Sequence, residues 1–203
     1  YGLTEAQPVK ETFEPMPIDR VCAVIHKEKP DAVFLPHVET STGILLPDTY
    51  IKRLADAVHS YGGLLIVDAI AAGTVWLDMR ATGADVCLSA PQKGWSGPAC
   101  CAFVMMNDRA TQVVKDPSKQ PPRNSFCCNL LQWLDVMEQY ENVNGDGPGF
   151  KYYTTLPTDS LMQVRDAIKE TEAFGFENAK LKCFQLGDEI RSLLAKHGFP
   201  SLA

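Results

Sequence analysis

The chain is 203 residues long, 45% hydrophobic and 22% charged, ordinary globular proportions with enough apolar side chains for a sizeable core. Its formal net charge of -6 is interrupted by no cluster of Lys and Arg, so a phosphodiester backbone would be repelled and nucleic acid is not an expected partner. The longest apolar run, Cys100 to Met106, is too short to span a bilayer, and YGLTEAQPVK at the start has neither a charged n-region nor an apolar h-region; the expectation is a soluble, cytoplasmic protein, with peroxisomal or mitochondrial residence left open.

Residues 1–16 are polar and punctuated by proline, a connector or edge segment. Ile18, Val21, Cys22 and Ile25 then repeat at helical spacing, which predicts a helix from Pro17 to about Glu28, ended by Pro30. Ala32 to Leu35 reads as a buried strand that delivers the hydroxyl-rich loop Pro36 to Gly43. Pro47 and Asp48 open a helix with Ile51, Leu54, Ala55 and Val58 on one face, and Gly62 suits a left-handed position after it. Leu64 to Val67 is an all-apolar run ending on Asp68, the pattern of a strand covered on both faces. This strand, helix and strand make a βαβ unit with a parallel sheet. Ala84 to Ser89 reads as the next strand, stopped by the turn Pro91-Gln92-Lys93-Gly94.

Beyond that turn, Cys100 to Met106 is expected as a strand and Asn107 to Val114 as a helix capped by Asn107. A polar loop from Asp116 to Cys128, a helix from about Leu130 to Tyr140 and a glycine-rich loop from Asn142 to Gly149 follow. Thr158 is expected to cap a helix ending at Gly175, and a last helix runs from about Glu177 to His197. The seven cysteines, two adjacent pairs among them, show neither CxxC nor a histidine at ligand spacing. They read as buried free thiols rather than as a zinc site or a disulfide frame.

Asp68 and Lys93 therefore both lie at the carboxyl ends of strands, the edge where open α/β sheets bind ligands. Pyridoxal phosphate needs such a pair: a lysine amine to hold its aldehyde, and a carboxylate to keep the pyridine nitrogen protonated. Only a neutral amine can react, so burial and the cofactor would have to lower the proton affinity of Lys93.

HVETSTG at 37–43, VDAIAAG at 67–73 and PQKG at 91–94 together resemble, in that order, motifs of the class V, fold type I aminotransferases, most closely the alanine/serine–glyoxylate group. The likeness runs, with weaker stretches, from about residue 17 to about residue 197. It implies an α/β fold with a mostly parallel sheet sandwiched by helices, and antiparallel pairing for the strand at 100–106. Residues 1–157 would form part of a cofactor-binding large domain, and 158–203 the connecting helices and the start of a smaller C-terminal domain. It also implies pyridoxal 5'-phosphate as cofactor and no metal. Lys93 would be the covalent anchor and proton carrier, Asp68 the partner of the ring nitrogen, and Thr40 that of the phenolic oxygen. Gln92 would bond the phosphate, and Ile70 would pack on one face of the ring. Tyr152 and Thr155 would reach across a homodimer interface to the neighbouring subunit's phosphate. His37 and Glu39 are expected to fix their loop.

The activity so implied moves an amino group from a small amino acid, alanine- or serine-like, to a 2-oxo acid such as glyoxylate or pyruvate. 2-Aminoethylphosphonate transaminases belong to the same class, and the arginine that usually holds the substrate carboxylate would lie outside this chain, so the amino donor stays open. Cysteine desulfurases and related lyases of the same fold typically carry glutamine two residues after the aspartate and histidine just before the lysine. Here those positions are Ile70 and Gln92, which favours an aminotransferase. A non-catalytic module with a relict site is the remaining alternative, disfavoured because every expected polar group is present. On this likeness the chain is a middle piece of a longer one. Trp95 departs from the usual wording; a core or interface indole is the simpler reading, a wall of a substrate pocket the other.

Overall fold

The computed structural model describes residues 13–119, 125–141 and 151–201. Four strands, β1 (Ala32–Pro36), β2 (Leu64–Asp68), β3 (Val86–Ser89) and β4 (Phe103–Met106), form one sheet in that order, with β1 and β4 outermost. The helices are α1 (Ile18–Glu28), α2 (Asp48–His59), α3 (Met79–Thr82), α4 (Asp108–Lys115), α5 (Leu130–Glu141), α6 (Thr158–Phe174) and α7 (Phe176–Lys196). β1, β2 and β3 pair in parallel and β4 returns antiparallel to β3, so the fold is the α/β arrangement expected.

One face of the sheet is covered. Ile51, Leu54, Ala55 and Val58 of α2 are at most 2% exposed and pack with Leu65, Val67 and Cys87 of the strands and Ile25 of α1. Each fully buried Leu or Val here contributes about 1.5–3 kcal/mol relative to exposure. Residues on the opposite face follow by alternation: Phe34 pairs with Ile66 and Ile66 with Val86, and Phe34 at the outer strand is 58% exposed.

The amino ends of the strands are knotted by Asp85, which is fully buried. Its Oδ2 accepts the Leu65 N–H at 2.8 Å and faces His59 Nε2 at 2.7 Å, while Oδ1 accepts Asn107 Nδ2 at 2.9 Å and Arg109 Nε at 3.2 Å. Arg109 also reaches the Gly63 carbonyl at 2.8 Å. Burial alone would push the Asp85 carboxyl up, but the Leu65 N–H, the Asn107 amide and His59 outweigh it and hold the group below its ordinary value. One side chain, just ahead of β3, thus ties α2, β2 and the capped start of α4 together. Its sequence signal was a charge inside an otherwise apolar strand, which demands partners.

Several expectations change. β4 begins at Phe103 rather than Cys100, because its partner β3 ends at Ser89, opposite Phe103, leaving 100–102 nothing to pair with. The short α3 was not anticipated; Asp78 caps it by accepting the Arg80 and Ala81 N–H groups, and Gly83 closes it at φ +77°. Thr158 is the first helical residue of α6 rather than its cap; the cap position falls on Pro157, which has no side-chain acceptor, so no capping bond is made. Among the free cysteines only Cys87 is buried; Cys127, Cys128 and Cys183 are exposed, because the segments that carry them lie outside the core. The apolar stripe of α7 is also exposed, with Leu181 at 54% and Leu193 at 56%. Its first half is held by Lys180 Nζ to the Trp76 carbonyl at 3.2 Å and by Cys183 Sγ beside Thr74 Oγ1 at 3.7 Å. The expected loop at 142–149 lies outside the described residues.

Candidate active site

Because Pro36 is in register with Asp68 and Asp68 with Leu88, the loops after β1, β2 and β3 leave from one edge of the sheet. In the first loop the Glu39 carboxylate accepts the Thr42 hydroxyl at 2.7 Å and the N–H groups of Thr42 and Ser41 at 2.8 and 3.0 Å. Those bonds, the Thr42 hydroxyl foremost, hold its carboxyl down at about 2. The Glu39 N–H closes onto the Ile44 carbonyl at 2.9 Å, leaving Thr40 exposed at the tip. His37 extends the β1–β2 pairing by donating its N–H to the Asp68 carbonyl at 2.7 Å. Its ring is 3% exposed, and Nδ1 has no partner among the described residues. Burial pushes the His37 imidazole below its ordinary value; Asp48 opposes this and Lys180 adds to it.

Asp68 is half-buried, and its Oδ1 accepts the Ile70 N–H at 3.1 Å. No ion pair joins it to a cation among the described residues. Its charge is felt next door: burial first, and Asp68 second, push the Cys87 thiol up to about 11. Ile70 is half-buried beside it.

The third loop folds on itself through Gly97 N–H to the Pro91 carbonyl at 2.9 Å and Ser96 N–H to the Lys93 carbonyl at 3.1 Å. Gln92 and Lys93 project from it, both exposed, so the burial expected of Lys93 is not provided by the described residues. What fixes this loop against the Asp68 loop is backbone contact between two glycines. A Cβ on Gly73, at φ +52°, would fall 2.2 Å from Gly94 Cα, and one on Gly94 would fall 2.7 Å from Gly73 Cα. No side chain fits between them, and the amine and the carboxylate are thereby held on abutting loops. Such a pair can address two parts of one small ring system.

Trp95 is tied down rather than free: Nε1 donates to Ser89 Oγ at 3.0 Å, and its ring meets Phe176 edge-on at 6.3 Å. It helps wall an apolar cavity of about 270 Å³ with Ala69, Trp76, Cys87, Met105 and Phe176. Cys87 and Met105 face the helix-covered side of the sheet, in register with Val67, whereas Asp68 follows Val67 and faces the other side. Neither Asp68 nor Lys93 lines that cavity.

Thr40, Asp68, Ile70, Gln92 and Lys93 are thus gathered at one edge. Tyr152 and Thr155 are not: they lie on the segment between α5 and α6, exposed, with Tyr152 Oη 2.8 Å from Thr155 Oγ1. No hydrogen bond or ring contact joins them to the three loops among the described residues.

Residues 8–196 match the family model for aminotransferase class V. Alanine–glyoxylate aminotransferase of Rattus norvegicus is 28% identical over 179 residues, covering 88% of this chain and 41% of that protein. The 2-aminoethylphosphonate–pyruvate transaminase of Phocaeicola vulgatus is 31% identical over 156 residues, covering 76% of this chain and 39% of its own length. Among solved structures, alanine–glyoxylate aminotransferase from Nostoc sp. superposes with a TM-score of 0.69 at 22% identity, over 89% of this chain and 45% of that one. The chain therefore spans less than half the length of the relatives it matches.

Proposed function

This chain belongs to the class V aminotransferase family, and from that premise we propose that it is the lysine-bearing part of a pyridoxal-phosphate-dependent transaminase acting on a small amino acid and a 2-oxo acid. The observation that carries the reading is the Gly73–Gly94 contact, which keeps a lysine with no ion pair among the described residues and a carboxylate with no cation on adjoining loops. Residues 1–157 are read as part of the cofactor-binding domain and 158–203 as the connection to a smaller one.

The donor set fits the cofactor. Asp68 keeps carboxylate capacity beyond the single Ile70 N–H and would hold the proton on the ring nitrogen. Thr40 at its loop tip would donate to the phenolic oxygen, the Gln92 amide would donate to the phosphate, and Ile70 would pack against the ring. Tyr152 and Thr155 offer adjacent hydroxyls to the phosphate of a second subunit. When bound, pyridoxal phosphate supplies the electron sink that stabilises negative charge at the substrate α-carbon. The Lys93 amine would anchor the cofactor covalently and would carry the proton taken from the substrate α-carbon. Because Lys93 is exposed among the described residues, exclusion of water from it would fall to the cofactor and to surfaces laid over the loop.

Borohydride reduction of the full-length holoenzyme followed by peptide mass mapping should put the pyridoxyl adduct on Lys93. An adduct on Lys52 or Lys115 instead would remove the assignment. A panel of amino donors and oxo acceptors then decides between alanine or serine with glyoxylate or pyruvate, and 2-aminoethylphosphonate, the second reading that the Phocaeicola relative favours.

A further inference from the structure

Tyr152 is 71% exposed, and among the described residues its hydroxyl meets only Thr155. Both of its neighbours in sequence are anchored. Lys151 pairs with Asp135 of α5. Tyr153 lies in an aromatic clasp: its ring stacks on Phe126, with centroids 4.4 Å apart at 24°, and takes the edge of Trp133 at 5.0 Å and 83°. Its hydroxyl donates to the Phe126 carbonyl at 2.8 Å, and Trp133 Nε1 donates to the Cys127 carbonyl at 2.8 Å. Three rings and two carbonyls thus lock the segment carrying Tyr152 to the turn before α5 and to α5 itself.

We propose that Tyr153, held between Phe126 and Trp133, is the positioning residue that presents the Tyr152–Thr155 hydroxyl pair to a phosphate dianion. The proposal rests on the reading of that pair as phosphate donors. Two hydroxyls 2.8 Å apart share one proton between them and leave the other O–H free; each rotor can swing outward so that both donate to one oxyanion. A phosphate gains most from donors that are already ordered, because binding then immobilises fewer groups. Stacking and the two carbonyl anchors supply that order, while Tyr153 keeps its own hydroxyl turned to Phe126 and touches no ligand.

The test is equilibrium dialysis of the full-length apoprotein against pyridoxal phosphate and, separately, against pyridoxal, which lacks the phosphate. Tyr153→Leu should weaken pyridoxal phosphate by about tenfold and leave pyridoxal unchanged. Tyr153→Phe, which keeps the stack, should recover most of the loss. If Tyr153→Leu does not fold, Trp133→Phe serves in its place, with a smaller loss again confined to pyridoxal phosphate. In a Tyr152→Phe/Thr155→Val background the Tyr153 change should cost nothing further, since it acts only through that pair. Equal weakening of both ligands, or an undiminished loss in the double-variant background, would overturn the role of Tyr153 while leaving the hydroxyl pair intact. An unchanged affinity for pyridoxal phosphate in Tyr152→Phe/Thr155→Val itself would instead strike the reading beneath it.

Discussion

Asp68, at the carboxyl end of β2, has no ion-pair partner among the described residues, whereas Asp85, just ahead of β3, is fully buried and bonded to four residues, of α2, β2 and the capped start of α4. The contrast separates their mutational signatures. Asp68→Asn in the full-length enzyme should keep the fold and slow the amino-donor half-reaction by about two orders of magnitude or more, because the ring nitrogen loses the charge that holds its proton; wild-type rates by stopped-flow spectroscopy would reduce the acid to a structural role. Asp85→Ala should do the reverse, costing about 1–3 kcal/mol for each buried donor left unpaired in urea unfolding, since it leaves the Leu65 N–H and the Asn107 amide without their acceptor. Acid should act on His37 first and then on carboxylates held below their ordinary value, Asp85 and Glu39 among them. The His37 imidazole is held below its ordinary value of 6.5, so the unfolded chain binds that proton first and stability falls as pH drops below about 6.5. Asp85 is held below the ordinary carboxylate value, so its contribution is present above that value and disappears only as pH falls through its lower folded value. Replacing His37 by Leu should flatten the first part of the stability profile and leave the second.

At the scale of elements, the βαβ unit and the sheet edge were legible because their signals are local: apolar runs of strand length, a helical stripe on α2, and the charge at the end of β2. The glycine contact between the Asp68 and Lys93 loops was not legible, since proximity of Gly73 and Gly94 is a property of two loops meeting and leaves no mark in either one. Its consequence can be measured. Gly73→Ala would need a left-handed backbone and a Cβ inside Gly94, so stability should fall by more than about 1 kcal/mol and the fraction of full-length protein trapped at Lys93 by borohydride should fall with it; retention of both would show that the loops have room to separate. The Thr158 cap was misjudged because a threonine beside a proline looks the same whether it stands before the first helical turn or within it. The helix α7 was legible, but what covers its apolar positions was not, since periodicity predicts a face and cannot say what lies against it. Likewise, aromatic residues at 126, 133 and 153 are dispersed in sequence, and only folding brings them into one clasp.

At the scale of the whole molecule, the separation of Tyr152 and Thr155 from the other candidate residues is what a site shared between subunits requires. Mixing full-length Lys93→Ala with Tyr152→Phe/Thr155→Ala should restore part of the activity, since a heterodimer gathers both lesions in one site and leaves the other whole. If mixed dimers form and stay inactive although the hydroxyls are essential, the two residues serve their own subunit. The sheet itself imposes a further condition. Its outer strands, β1 and β4, each leave a row of backbone donors and acceptors without a strand beside them among the described residues, and Phe103-Val104-Met105-Met106 carries no charge to discourage a newcomer. Edges of this kind template aggregation unless something covers them. The 203-residue chain produced alone should therefore self-associate as its concentration rises, which light scattering would detect, and a lysine in place of Val104 should raise its solubility without touching any group assigned to chemistry.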